Sequence, residues 1–221
     1  MKIAAFDIGG TTLKMALATS TGELLVKAKQ PIEDSDGEQI LAAMLAWVAR
    51  YPTCQGIAIS APGYVNPRTG FIAMGGAIRR FDHFPMKDWL EEKTGLPVAI
   101  ENDANCVLLA ERWQGKAHNI ENFLVMTIGT GIGGAIFCNN QLVHGARFRA
   151  GEFGYMQATQ PGSDAPARTT MNEICTLRML RLHYAHHTGQ NPEHVTGEEI
   201  FDRYDAGDIV CQRLVGNFFN G

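Results

Sequence analysis

The chain has 221 residues, 45% of them hydrophobic and 19% charged, with 19 Lys plus Arg against 23 Asp plus Glu and a formal net charge of −4. That composition excludes disorder and fibrous architecture, and the length allows one large domain or two small ones, each with a real core. A mildly acidic balance without a Lys/Arg run offers no electrostatic footprint for nucleic acid or an anionic membrane, so small molecules are the expected partners.

Taken in chain order, three short strands come first, over residues 2–6, 13–18 and 24–28, punctuated by Gly9-Gly10 and Thr21-Gly22. Residues 38–50 carry Ile40, Leu41, Met44, Leu45 and Val48 at helical spacing, which predicts an amphipathic helix lying over the sheet. A buried strand over 56–60 ends at Pro62-Gly63, a helix over 86–93 ends at Gly95, and a strand over 97–100 follows. This alternation predicts parallel pairing and an α/β class. A helix over 104–113, closed by Gly115, completes the first half.

At Asn122 the opening layout returns. Residues 123–127 read as a strand, Gly129-Thr130-Gly131 as a turn, 133–138 as a strand, Asn139-Asn140 as a turn and 141–144 as a third strand. Two related halves are therefore expected, 1–116 and 117–221. A Gly/Pro/Ser loop at 160–166 precedes helices over 171–184, 197–204 and 208–219, with no strand after them. Set beside the first half, the second lacks its later strands; either it is built differently or the chain stops early, and the apolar end at Phe218-Phe219 favours the second reading. Five scattered cysteines without a C-x-x-C pair read as free thiols in a reducing compartment. Neither a signal-peptide core nor eighteen consecutive apolar residues occurs, so a cytoplasmic protein is expected.

Several positions can carry chemistry. Asp7-Ile8-Gly9-Gly10-Thr11-Thr12 follows a strand: glycines let backbone N–H groups converge on an anion, threonine hydroxyls add donors, and Asp7 can hold Mg²⁺ through water. A plain hairpin turn is the other reading. The loop at 127–134 contains G-x-G-x-G, but a strand follows where a dinucleotide fingerprint needs a helix. Two such loops at equivalent places in two halves point to a nucleotide gripped from both sides. Glu101-Asn102-Asp103-Ala104-Asn105 lies at the end of a parallel strand, where its acid can serve as general base or simply cap the next helix. Glu152, Tyr155 and Glu173 sit beside glycines or a helix start, where such groups can bind a polyol or act as ordinary loop acids and caps.

The motifs DIGGTTLK, APG at 61–63, ENDAN at 101–105, TIGTGIGGAI from Thr127 and GEFGY at 151–155 together resemble the ROK family of sugar kinases, in their order and spacing. The resemblance covers essentially the whole chain. It implies a two-lobed actin-like ATPase (ribonuclease-H-like) fold, its second lobe incomplete, and phosphoryl transfer from ATP with Mg²⁺ to a sugar hydroxyl, usually the 6-hydroxyl. Carried onto this sequence, it makes Asp103 the catalytic base. Asn102, Glu152, Tyr155 and Glu173 become sugar ligands, and Gly9, Gly10, Thr11, Thr12, Thr130 and Gly131 the phosphate loops, with Asp7 near the metal. Many family members have a His where Tyr155 stands, then a C-x-C-G-x-x-G-C zinc cluster; residues 157–172 contain no cysteine, so no structural zinc is expected. That departure resembles the beta-glucoside kinase branch, acting on a glucosyl unit of a beta-glucoside or cellobiose. Glucokinase and N-acetylmannosamine kinase activity are the alternatives within the family, and sugar binding without transfer the alternative outside it. A repressor of the same family would begin with a helix-turn-helix, whereas here the phosphate strand starts at Lys2. The family's members are commonly dimers or larger.

Overall fold

A computed structural model describes residues 1–157 and 169–220 and divides into two compact units, residues 1–121 with 140–149, and 122–139 with 150–221. The loop read at 160–166 lies outside the described residues. No helix among the described residues is long and apolar enough to cross a membrane.

The first unit is built on a five-stranded sheet in the order β3-β2-β1-β4-β8. Strands β1 (Lys2–Ile8), β2 (Thr12–Thr19) and β3 (Leu24–Pro31) form the antiparallel meander, and β4 (Ile57–Ala61) and β8 (Val98–Asn102) continue it in parallel with β1. Alternation along each strand sends Ala4, Phe6, Ile8, Leu13, Met15, Leu17, Ile57, Ile59, Val98 and Ile100 to one buried face. That face is covered by α1 (Gly37–Arg50) through Ile40, Leu41, Met44 and Trp47 and by α2 (Met86–Thr94) through Met86 and Leu90. Asp36 starts α1, its carboxylate accepting from the N–H groups of Glu38 and Gln39. Helix α3 (Asp103–Gln114) packs on β4 and β8 and buries Ala104, Asn105 and Leu108. Because Glu101 neighbours inward-facing Ile100, its side chain lies on the opposite face from α1 and α2.

Three very short strands, β5 (Tyr64–Asn66), β6 (Phe71–Met74) and β7 (Phe84–Pro85), form a separate antiparallel sheet between β4 and α2. Runs of two to four residues carry too little alternation to announce themselves in sequence.

The second unit opens on the antiparallel pair β9 (Phe123–Ile128) and β10 (Ile132–Cys138), in register from Phe123↔Phe137 to Ile128↔Ile132. The third strand expected over 141–144 is only β11 (Gln141–Leu142), so His144 is freed from strand geometry. The single helix expected over 171–184 is two: α4 (Met171–Ile174) and α5 (Leu177–Thr188). Buried Thr176 breaks it, adopting extended backbone and accepting the N–H of Met179 to start α5 anew. Helices α6 (Gly197–Asp205) and α7 (Ile209–Asn220) join α5 around Leu180, Tyr184, Val195, Ile200, Cys211 and Val215.

Candidate active site

In the first unit three parallel strands end side by side. Asp7 of β1 is in register with Ser60 of β4, and Ser60 with Glu101 of β8, so three polar residues converge where α/β crevices open. The Ser60 hydroxyl donates to Asp7 at 2.8 Å. Lys14, opposite Asp7 across the hairpin, places its ammonium 2.9 Å from the other carboxylate oxygen. The turn after Asp7 is closed by the Gly9 N–H donating to the Thr12 carbonyl at 3.0 Å, and the Thr11 carbonyl accepts from Ile32 at 2.9 Å. A Cβ on Gly10 would stand 3.3 Å from that of Ala77, tighter than ordinary contact.

Asn102 and Asp103 stand at the junction of β8 and α3. Asn102 is the N-cap: its Oδ1 accepts from the Asn105 N–H at 3.1 Å. Its Nδ2 donates to the Gly63 carbonyl at 3.0 Å and to Asp103 Oδ1 at 2.9 Å, and the Ala104 N–H donates to that same Asp103 oxygen at 2.8 Å. Gly63 must be glycine: φ is +87°, and a Cβ would collide with the carbonyl oxygen of Met74. Asp103 keeps contact with solvent, yet loss of hydration pushes its pKa above the ordinary carboxylate value. The Ala104 N–H works against this, the Asp7 charge adds to it, and the Asn102 amide opposes it again. A carboxylate so held has one oxygen tied down and a raised affinity for a proton, the properties of a general base. Cys106, one turn along α3, has its thiol pushed up to about 12, first by burial and then by Glu101, which leaves it protonated and unreactive.

The remaining sequence-predicted residues gather around the β9–β10 turn of the second unit. The Gly129 N–H donates to the Gly131 carbonyl at 2.9 Å, and the Gly129 carbonyl accepts from Leu177 at 3.0 Å. Asn172 fixes the far side, its Oδ1 accepting from the Ile132 N–H at 2.7 Å. Thr130 and Gly131 therefore sit on a turn anchored by α4 and α5. Gly134 has no side chain where the Phe153 ring packs, which positions the 3-10 turn Phe153–Tyr155 directly after Glu152. Tyr155 is 56% exposed, so its phenol is open to a ligand. Glu173 closes a capping box, one oxygen accepting from the Thr170 N–H at 2.6 Å and hydroxyl at 2.9 Å. Those bonds hold its carboxyl below the ordinary range.

Ser60, Lys14 and Glu101 enter the site without having been assigned a part in sequence. Lys14 was accessible there, as the residue facing Asp7 once the hairpin register is set; Ser60 needed the parallel register. The residues suit a magnesium nucleotide. A part-exposed carboxylate ends a strand beside an ammonium, and each unit carries a tight turn rich in Gly and Thr. Among the described residues no three His, Cys, Asp or Glu side chains are grouped to hold a metal on their own.

These features are those of one family of proteins, and the chain belongs to it: the ROK family model matches residues 3–220. A beta-glucoside kinase of Klebsiella pneumoniae is 69% identical over 221 residues, which are all of this chain and 74% of that protein. A solved structure from Listeria monocytogenes, provisionally described as an N-acetylmannosamine kinase, is 58% identical with a TM-score of 0.90, covering 99% of this chain and 75% of that one. The crystal structure of a ROK glucokinase from Streptomyces griseus with glucose and AMPPNP is 25% identical with a TM-score of 0.82, over 99% of this chain and 75% of that one.

Proposed function

We propose that this chain is an ATP-dependent sugar kinase that phosphorylates the 6-hydroxyl of a glucosyl unit in a beta-glucoside such as cellobiose. The observation that carries the reading is Asp103: a carboxylate at the head of α3, oriented by Asn102 and Ala104 and raised in proton affinity, at the place where the ROK motif puts its base. The 69% identity to a beta-glucoside kinase supports the substrate class, and the phenol of Tyr155 in place of the family's more usual His supports a sugar whose first carbon carries another group.

Phosphoryl transfer asks mainly for alignment and charge neutralisation. The turn at Gly9 to Thr12 and the turn bearing Thr130 and Gly131 are assigned to the phosphates. Mg²⁺ near Asp7 supplies neutralising charge for them when bound. Asn102, Glu152, Tyr155 and Glu173 hydrogen-bond the sugar ring, Glu173 through the oxygen its cap leaves over. Asp103 accepts the proton of the attacking hydroxyl as the new O–P bond forms and the bond to the leaving diphosphate breaks. Drawing on ATP, the enzyme works in the cytoplasm.

The test is a coupled phosphorylation assay with glucose, cellobiose, a second beta-glucoside and N-acetylmannosamine, run beside sugar-induced thermal stabilisation. Transfer to the two beta-glucosides ahead of N-acetylmannosamine is expected, with Asp103→Asn retaining stabilisation by sugar and losing roughly 10²- to 10⁴-fold in turnover. Preference for N-acetylmannosamine would favour the activity described for the Listeria protein. Stabilisation without transfer in the wild type would make the chain a sugar-binding protein, and undiminished turnover in Asp103→Asn would remove the base.

A further inference from the structure

Glu101 is the only member of the ENDAN segment's two acids without a part in the mechanism above, yet its carboxylate is the more deeply placed, with 15% of its side chain exposed. Its Oε1 accepts from the N–H of Asn102 at 2.8 Å and from the side-chain amide of Asn105 at 2.9 Å. Its Oε2 lies 2.8 Å from His144 Nε2. One carboxylate thus ties together the last peptide of β8, the first turn of α3 and a residue 43 positions further along the chain. A bare carboxylate buried among protein atoms is costly and draws water or a proton; with both oxygens engaged it is a fixed post.

His144 reaches that post because residues 140–149 belong to the first unit although the chain on either side of them does not. The segment is fastened there at three points. The guanidinium of Arg112 donates to Asn140 at 3.4 Å, His144 meets Glu101, and the Arg149 guanidinium lies 4.1 Å above the ring of Tyr64. Tyr64 follows Gly63, whose carbonyl holds the Asn102 amide. Two of the three fastenings therefore bear on Asn102, one through its peptide N–H and one beside its side chain. Asn102 in turn holds Asp103.

We infer that His144 is a positioning residue for phosphoryl transfer: through Glu101 it locks the Asn102 corner and so aims the Asp103 carboxylate at the sugar hydroxyl. The inference rests on the reading of Asp103 as base. A purely structural tie between 140–149 and α3 would stabilise the unit without touching the chemistry; an aiming device acts on the reacting step, where a misplacement near 1 Å costs up to about 10²-fold.

The test uses His144→Ala and His144→Gln in the full chain. Glutamine keeps an N–H donor able to reach Glu101 and carries no charge. For His144→Ala, kcat falls about ten- to a hundredfold with KM for sugar and ATP little changed, and His144→Gln recovers most of the loss. In an Asp103→Asn background His144→Ala has no further effect on kcat, because the group it aims is gone. A second readout needs no turnover: the Asp103 carboxyl is titrated by carbon NMR. The groups around it are Asp7 with its Lys14 partner, Glu101, and Cys106 on its own helix. The Asn102 and Ala104 bonds lower its pKa, so loosening them in His144→Ala moves the midpoint to higher pH, and glutamine restores it. A purely electrostatic effect of removing the ring would not be reversed by neutral glutamine. Unchanged kcat and midpoint in His144→Ala, or losses in both variants that track a lowered unfolding temperature, would overturn the inference. If Asp103→Asn alone turns over normally, the base reading has failed instead, whatever His144 does.

Discussion

At Asp103 burial and the nearby Asp7 carboxylate favour the protonated form, while the Ala104 N–H and the Asn102 amide favour the ionised one, and burial prevails. Two consequences follow with defined signs. As the proposed base, Asp103 must be ionised to work, so the acidic limb of kcat/KM is expected above the ordinary Asp value of about 3.9. Replacing Asp7 by Asn removes a charge that raises it, which moves the Asp103 titration to lower pH. For stability, a raised native pKa means the folded state binds the proton more tightly than the unfolded one. Stability therefore declines as pH rises from the unfolded value through the native one, and stays lower above it. Asp103→Asn escapes that decline: at pH 7 its unfolding temperature is expected to exceed the wild type's, and the two converge below about pH 4. Melting curves across pH check both the sign and the window. On the proposed reading of Asp103, a carboxylate that costs the fold stability is the usual exchange between stability and function.

Among the elements, the break between α4 and α5 shows how one side chain divides a helix that periodicity joins. The apolar spacing from Met171 to Tyr184 runs through Thr176 without interruption, but the hydroxyl of Thr176 finds the Met179 N–H, and this local bond competes with the helix ladder. The break frees Leu177 to donate its N–H to Gly129, anchoring the second Gly/Thr turn from behind. Thr176→Ala removes a buried cap and is expected to cost about 1 kcal/mol in urea unfolding, with Thr176→Ser closer to wild type. The meander, α1, β4, α2, β8 and α3 were legible because each is long enough for its period to show. Strands β5 to β7 were not, since a strand of two to four residues is defined by its partner. His144 was read as the end of a strand; only the shortness of β11 frees it for Glu101.

For the whole molecule the question is what bound metal does. The described residues hold no ready-made metal cluster, and residues 157–172 have no cysteine. On the proposed function, metal serves the phosphates, and no structural ion is expected. Exhaustive chelation is expected to leave the unfolding temperature unchanged while stopping phosphoryl transfer, and added Mg²⁺ is expected to restore it; a melting temperature that drops on chelation would reveal a structural ion. The chain spans 74% of its Klebsiella relative, so the same assays on a longer polypeptide measure what the remaining quarter contributes to turnover.

By itself the sequence determined the class of fold, the family and the two Gly/Thr turns, and it singled out Asp103 as the proposed base. All of these are local: a strand, a turn and a helix start each carry their signal within a few neighbouring residues. The tertiary structure decided which groups surround that acid. Ser60 meets Asp7, and Glu101 lines up beside Ser60, only through parallel register, a pairing that spans 53 residues in the first case and leaves no mark on either segment alone. The His144–Glu101 contact differs in kind: it depends on residues 140–149 folding into the first unit although the chain on either side of them does not, and the cost of leaving a part-buried carboxylate unpaired favours that contact.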